Sequence, residues 1–186
     1  MVKRLNKIYT RTGDNGTTGL ADGKRVEKDS MRIAVMGDID ELNSILGLLI
    51  ASGVGEDISG YLLNIQHRLF DIGGELSIPG KPVTQPNHIT RLEELLDTYN
   101  DDLKPLDEFI LPGGTLSGAL CHFARTVCRR AERSMVKLAR MEYLNPNSLS
   151  YINRLSDLLF VFSRVITQAK GGKEVYWDKN RLKRSV

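Results

Sequence analysis

The feature that most limits how this chain can fold is the stretch Gly118-Ala-Leu-Cys-His-Phe-Ala-Arg-Thr-Val-Cys-Arg-Arg-Ala-Glu-Arg133, continuing to about Arg140. At about 100° per residue, Leu120, Ala124, Val127, Cys128, Ala131, Met135 and Leu138 gather on one side, which predicts a helix burying that side in a core. His122, Arg125, Arg129, Glu132 and Arg133 fall within one arc opposite it. Arg125, Arg129 and Arg133 stand at i, i+4 spacing, where like charges repel. Glu132 alone cannot neutralise three guanidinium groups. Either the face is a solvated basic surface or something anionic lies along it. Three arginines, a histidine and the Gly113-Gly114 entry favour the anion site.

The rest of the chain supplies partners for such a helix. Val35, Ile39, Leu42, Ile45, Leu46 and Leu49 form a stripe that predicts a helix from Ser30 to about Ser52. Asp40, Asn43 and Gly47 lie opposite that stripe, while Asp38 projects close to it, as at a helix start or a kink at Gly37. The carboxylates Asp38, Asp40 and Glu41 read either as a solvated acidic face or, more sharply, as a paired carboxylate. After Gly53-Val-Gly55, Asp57 is placed to cap a helix in which Ile58, Leu62, Ile65, Leu69, Ile72 and Leu76 repeat as an antiparallel bundle seam. Gln66, His67 and Arg68 are placed on its surface.

Pro79, Pro82 and Pro86 predict an extended connection from Ser77 to His88, and helix returns over Ile89–Leu103. A short apolar run at Phe109-Ile-Leu111 is stopped by Pro112-Gly-Gly114, ahead of the arginine helix. Asn145-Pro-Asn147 turns the chain, and Ser148 is placed to cap a last helix to about Lys170, carrying Asn153, Asp157, Phe160 and Arg164 on one face. Five helical stretches with almost no alternating strand pattern predict an all-α fold, a five-helix bundle with ferritin-like up-down packing. We read 1–186 as one domain, with a Gly-rich N-terminal loop over 1–29 and a basic tail over 171–186.

That N-terminal loop, Ile8 to Asp29, carries turns and free backbone N–H groups beside Lys24 and Arg25. No Gly-Lys-Ser/Thr follows, so it is not a P-loop. Chemistry alone leaves it as a phosphate cradle or a plain flexible terminus. No zinc spacing, HExxH or nucleophile elbow occurs, so no protein-held metal is assigned. Cys121 and Cys128 are seven residues apart on one helix, about 10 Å along its axis, too far to bridge. The absence of a disulfide framework points to a reducing, cytoplasmic compartment. No apolar run is long enough to span a membrane, and a net charge of +3 is small for a nucleic-acid binder.

Five blocks make the chain specific. Thr10-Arg-Thr-Gly-Asp-Asn-Gly-Thr-Thr-Gly-Leu20, Gly37-Asp-Ile-Asp-Glu-Leu-Asn43, Phe109-Ile-Leu-Pro-Gly-Gly114, Ala124-Arg-Thr-Val-Cys-Arg-Arg-Ala-Glu-Arg133 and Tyr151-Ile-Asn-Arg-Leu-Ser-Asp157 resemble, in order, the signature blocks of the PduO-type ATP:cob(I)alamin adenosyltransferases. The resemblance implies a homotrimer with ATP and the corrinoid bound near subunit interfaces, Mg²⁺ accompanying the nucleotide, and a reductase partner supplying Co(I). It implies that Thr10, Arg11, Thr12, Gly13, Thr17, Thr18 and Lys24 wrap the triphosphate. Arg129, Arg130, Glu132, Arg133 and Asn153 would complete the nucleotide site. Arg125 and Arg129 would be catalytic, with Arg125 paired to Asp40. Phe109 would be an aromatic wedge under the corrinoid, whereas without the resemblance it reads as a buried anchor before a turn. Asn15 stands where relatives often carry Lys, and the tail after Lys170 matches poorly. An ATP- or corrinoid-sensing bundle would keep these blocks without turnover. A nucleic-acid-binding bundle would want more net charge and exposed aromatics.

Overall fold

The computed structural model describes residues 8–181; the basic termini Lys3-Arg4 and Lys183-Arg184 lie outside them. A short hairpin, β1 (Thr17–Gly19) and β2 (Arg25–Glu27), precedes five helices. These are α1 (Met31–Ala51), α2 (Glu56–Ser77), α3 (Pro86–Asp101), α4 (Leu116–Ala139) and α5 (Pro146–Ala169). Helix α4 packs against α1 and α5, α2 covers α1, and α3 covers α5. The seams between them bury Leu42, Leu46 and Leu49 of α1 and Leu62, Leu69 and Ile72 of α2. Met135 and Leu138 of α4 join Ile152, Leu155 and Phe162 of α5 in the same core. Each such side chain removed from water contributes about 1.5–3 kcal/mol. No helix among the described residues is long and apolar enough to cross a membrane.

Four local expectations are corrected. The Gly-rich loop contains an antiparallel hairpin, Thr17 opposite Glu27 and Gly19 opposite Arg25, too short for any alternation to register. Helix α3 begins at Pro86 rather than Ile89, because proline is pre-set for the first helical position, where its missing N–H costs nothing. Gly55, not Asp57, precedes α2, and the carboxylates of Glu56 and Asp57 sit in its first turn, where they favour the helix dipole. Asn145, not Ser148, caps α5, its side chain accepting from Asn147 N at 3.1 Å.

Ser148 is instead part of a buried node around Glu75 of α2. That carboxylate accepts from Ser148 Oγ, from the backbone N–H groups of Val83 (2.5 Å) and Thr84, and from Asn145 Nδ2 at 3.3 Å. The node ties the proline-rich connection to the α2 and α5 ends. Asp38 and Asn43, which fit the α1 stripe poorly, are also satisfied across helices. Helix α1 runs unbroken through Gly37. Arg130 of α4 meets Asp38 at 3.1 Å and Glu41, while Asn43 exchanges hydrogen bonds with Gln66 of α2 at 3.0 and 3.3 Å. Gln66 is therefore an interhelical residue and not a surface one.

Burial would raise the Glu75 pKa, but the donors from Ser148, Thr84 and Val83 outweigh it and hold the carboxyl below its ordinary 4.5. Glu75→Gln turns an NH₂ towards donors and should cost about 1–3 kcal/mol at neutral pH. A depressed carboxylate stabilises above its unfolded pKa and loses that contribution as pH falls through the folded value. Urea midpoints of wild type and variant should therefore converge on acidification below about pH 4.5. A gap that stays constant would show that the charge on Glu75 contributes nothing.

Candidate functional site

Helix α4 starts flush against α5 because three glycines surround Thr167. A Cβ on Gly118 would stand 2.1 Å from Thr167 Oγ1, and one on Gly114 or Gly172 would also collide with side chains there. Thr115 caps the helix, its hydroxyl accepting from Gly118 N at 3.1 Å. This close approach carries Arg125 and Arg129 over α5. With Leu96 and Asn100 of α3 and Ser156, Asp157, Phe160 and Val161 of α5, they line a cavity of about 270 Å³.

Arg125 is half-buried, and its Nε has no hydrogen-bond acceptor. Burial and the neighbouring Arg129 both lower its pKa, the first more than the second. A guanidinium so placed is short of negative charge and of an acceptor. Arg129 is exposed, and its carbonyl takes a 3.0 Å bond from Arg133 Nη1, which draws Arg133 back along the helix. Asn153 Nδ2 donates to Glu132 Oε1 at 2.6 Å, so these two expected nucleotide-site residues meet across α4 and α5. Asp157, beside them, holds Arg154 at 2.8 Å and leaves its remaining edge on the cavity.

His122 departs from the arc, and Arg130 departs from the nucleotide site expected of it. His122 is only 4% exposed, its ring edge-on to Phe160 with centroids 6.1 Å apart. Burial foremost, then Arg125, pushes its pKa down to about 4, so it is a neutral core-side group. Arg130 is committed to Asp38 and Glu41 of α1, away from the cavity.

The remaining expected residues form a second cluster on another face. Asp40 is exposed and lines a cavity of about 610 Å³ with Thr18, Gly19 and Ala21 of the hairpin region, Met36 and Gly37 of α1, and Phe70 and Gly73 of α2. Ala21 N donates to Ser77 Oγ at 2.8 Å, which ties the loop to the end of α2. Thr17 Oγ1 accepts from Arg25 at 2.5 and 3.2 Å, and Arg25 also reaches the Thr12 carbonyl at 2.6 Å. Thr10 and Thr12 hydroxyls meet at 2.9 Å, Arg11 takes φ 61° and lies over the Tyr9 ring, and Lys24 contacts Asp22 at 3.6 Å. Lys28, which the sequence reading passed over, brings its ammonium to where a Cβ on Gly13 would be 3.2 Å away. Asp40 and Arg125 line separate cavities, and no salt bridge joins them within the described chain. Among the described residues no three His, Cys, Asp or Glu side chains gather as a metal cage.

Phe109 is 76% exposed, which removes the buried-anchor reading. Arg164, grouped by spacing with Asn153 and Asp157, is buried and paired to Glu174 at 2.6 Å. The tail thus packs on the body, for reasons its composition does not show. Phe160 shows in the sequence only as part of one helix face with Asn153 and Asp157, and Leu96 and Asn100 carry no signal.

The family model described as cobalamin adenosyltransferase matches residues 8–166, covering both clusters and the connections between them. The chain belongs to the cobalamin adenosyltransferase family. A cobalamin adenosyltransferase of Cupriavidus metallidurans is 54% identical over 182 residues, covering 97% of this chain and 99% of that protein. A corrinoid adenosyltransferase of Bacillus subtilis is 42% identical, covering 95% and 94%. A variant PduO-type ATP:corrinoid adenosyltransferase from Lactobacillus reuteri, solved complexed with cobalamin and ATP, superposes with a TM-score of 0.88. It is 35% identical, covering 93% of this chain and all of that one. Family membership accounts for the bundle and places both residue clusters within the matched region.

A neutral, buried His122 makes a measurable contribution. Between its ordinary 6.5 and about 4, the unfolded chain binds a proton that the folded chain refuses. Stability is then full above that window and falls as pH drops through it, at most by about 1.4 kcal/mol per pH unit. His122→Leu should flatten this part of the stability–pH curve. An unchanged curve, or a His122 imidazole NMR signal titrating near its ordinary 6.5, would place a charged ring in the fold.

Proposed function

We propose that this chain transfers the 5′-deoxyadenosyl group of ATP to the cobalt of cob(I)alamin. The cobalt lone pair attacks C5′, a Co–C bond forms, the C5′–O bond breaks, and triphosphate leaves with the electron pair. The observation that carries the reading is the separation of the family's motif residues onto two faces of one subunit. One half presents Arg125, Arg129, Asp157 and Phe160, and the other presents the Gly-rich loop and Asp40. Each is half a site.

Cob(I)alamin is a substrate that already holds the nucleophile, so the protein's task is orientation and charge. Arg129, exposed over the cavity, meets the triphosphate. Arg125, short of an acceptor at Nε, is oriented by a carboxylate and stabilises the charge that develops on the leaving group. The hydrogen-bonded Thr10, Thr12 and Thr17 and the cations Arg11, Lys24 and Lys28 follow the phosphates, while Glu132 and Asn153 hold each other beside the nucleotide. Arg133 and Arg130 act behind this line, on the Arg129 carbonyl and on α1. Mg²⁺ arrives with ATP, since this ion keeps its waters and binds through phosphates more readily than through protein cages.

Phe109, exposed and apolar, serves as the wedge that excludes an axial donor from the corrinoid's lower face. Cobalt left four-coordinate is easier to reduce, which suits a reductase partner supplying the electron. Asp40 of one subunit reaching Arg125 of the next makes a head-to-tail contact that closes as a homotrimer. We further read the chain as one domain acting in the cytoplasm. Anaerobic incubation with ATP and chemically reduced cobalamin tests the activity, which should yield the light-sensitive alkylcobalamin spectrum. Well-folded protein giving no such product would overturn it.

Arg129→Ala should lower ATP affinity and turnover by an order of magnitude or more, because a charge-assisted contact contributes roughly 1.5–3 kcal/mol. Circular dichroism should be unchanged, since Ala favours helix. Full affinity would place Arg129 in solvent.

Asp40→Ala and Arg125→Ala should each abolish most activity. Co-refolded in equal amounts, they should regain about a quarter of it, because random assembly gives that share of interfaces both native partners. Mixed trimers seen by native mass spectrometry without that recovery would show that the pair does not cross subunits.

A further inference from the structure

Phe109 has little packing of its own to fix its ring, so its position must be set through its backbone. After α5 the chain turns at Gly171 (φ 68°), and Gly172 N donates to the Thr167 carbonyl at 2.9 Å. The following segment runs back antiparallel to residues 109–111. Leu111 N donates to the Val175 carbonyl and Trp177 N to the Phe109 carbonyl, both at 2.8 Å, flanking the Ile110–Tyr176 bridge. The Phe109 N–H is taken by its neighbour Glu108 at 3.0 Å, and Glu108 is itself held by Lys179 at 2.6 Å. Both backbone polar groups of Phe109 are thus controlled, one by the tail and one by a carboxylate the tail grips.

The segment needs an anchor in turn, and the anchor is buried. Glu174 Oε1 accepts from Arg164 Nε at 2.6 Å and Oε2 from Arg164 Nη2 at 3.3 Å, with the arginine 4% and the glutamate 13% exposed. Arg164 Nη2 also donates to the Lys104 carbonyl at 2.8 Å, in the chain leading to Phe109. One guanidinium therefore ties α5 both to the returning tail and to the chain that leads into Phe109. A buried pair of this kind is costly to break from one side, because the other charge is left unpaired.

We propose that residues 173–179 form a strap that sets the position of Phe109, and that Glu174, pinned by Arg164, is a positioning residue for the reaction. The proposal rests on the reading of Phe109 as the corrinoid wedge. An exposed ring works as a wedge only if its backbone is preorganised by such supporting contacts. Glu174 lies outside the Arg125–Arg129 cavity, so its loss should leave nucleotide binding alone.

Trp177 is the sole tryptophan, which makes its fluorescence a direct report on the strap. Glu174→Gln should raise acrylamide quenching of Trp177 while far-UV circular dichroism stays that of the wild type. With ATP bound, the fraction of four-coordinate cob(II)alamin, read by magnetic circular dichroism, should fall at least about fivefold. Turnover from cob(II)alamin plus reductant should fall with it, while the ATP Kd and the rate with ready-made cob(I)alamin change by less than about twofold. Lys179→Gln, at the exposed rim, should give a smaller loss in the same direction and covers the case of a Glu174 variant that fails to fold.

Unchanged quenching in Glu174→Gln would show that Glu174 does not hold the strap. Raised quenching with an unchanged four-coordinate fraction would show a strap that does not position Phe109, and equal losses in ATP affinity and both assays would show a merely structural pair. Each overturns the proposal. Phe109→Ala is run alongside. If it leaves the four-coordinate fraction intact, the wedge reading fails, and the proposal of a positioning role fails with it. If it abolishes that fraction while both strap variants keep it, the wedge stands and the strap falls.

Discussion

The structure turns on the repulsion between Arg125 and Arg129. Neighbouring guanidinium groups on one helix face raise the free energy of the free chain, more so where α3 and α5 strip water from Arg125. Among the described residues neither arginine is held in a salt bridge: Glu132 meets Asn153, and Asp157 spends one oxygen on Arg154. On the proposed reading, the arrangement is costly alone and becomes favourable once a triphosphate and a carboxylate arrive. An anion-binding site built on a rigid helix has this form, because its donors are fixed before the ligand comes. By contrast Arg130, one residue along, is neutralised by Asp38 and Glu41 and serves the α1–α4 packing.

Rigidity of that face comes from the bundle. The apolar seams supply the bulk of the stability, and a few buried polar nodes fix how the helices meet. Glu75 gathers the 78–85 connection and the α5 cap, Asn43 and Gln66 lock α1 to α2, and the glycines around Thr167 let α4 start in contact with α5. The Arg164–Glu174 pair extends the same principle to the chain's end, where little hydrophobic burial is on offer.

What the sequence showed depended on whether a feature was periodic. Long stripes such as Ile58 to Leu76 marked helices within a few residues, and the arginine row stood out by its spacing. Pro86 reads as part of a connection because proline both ends and begins helices, yet it opens α3. The β1–β2 hairpin was missed because three-residue strands carry no alternation. His122 matched the arginine arc by angle, yet Phe160 and the returning tail cover that end of α4. Glu75, Lys28 and the 173–179 segment gave no local signal, since their partners come from distant parts of the chain. The burial of Phe109 cannot be read from a three-residue apolar run, and its exposure removes the anchor reading.

On the proposed reading neither half-site works alone, and a second copy of the chain completes each one. Sedimentation velocity with a chromophoric ATP analogue, across a dilution series spanning association, tests this most directly. The analogue should co-sediment only with the trimer, and the monomer boundary should carry none. A monomer that binds the analogue with the trimer's affinity would contradict it, and would require the Gly-rich loop and the arginine face to meet within one subunit.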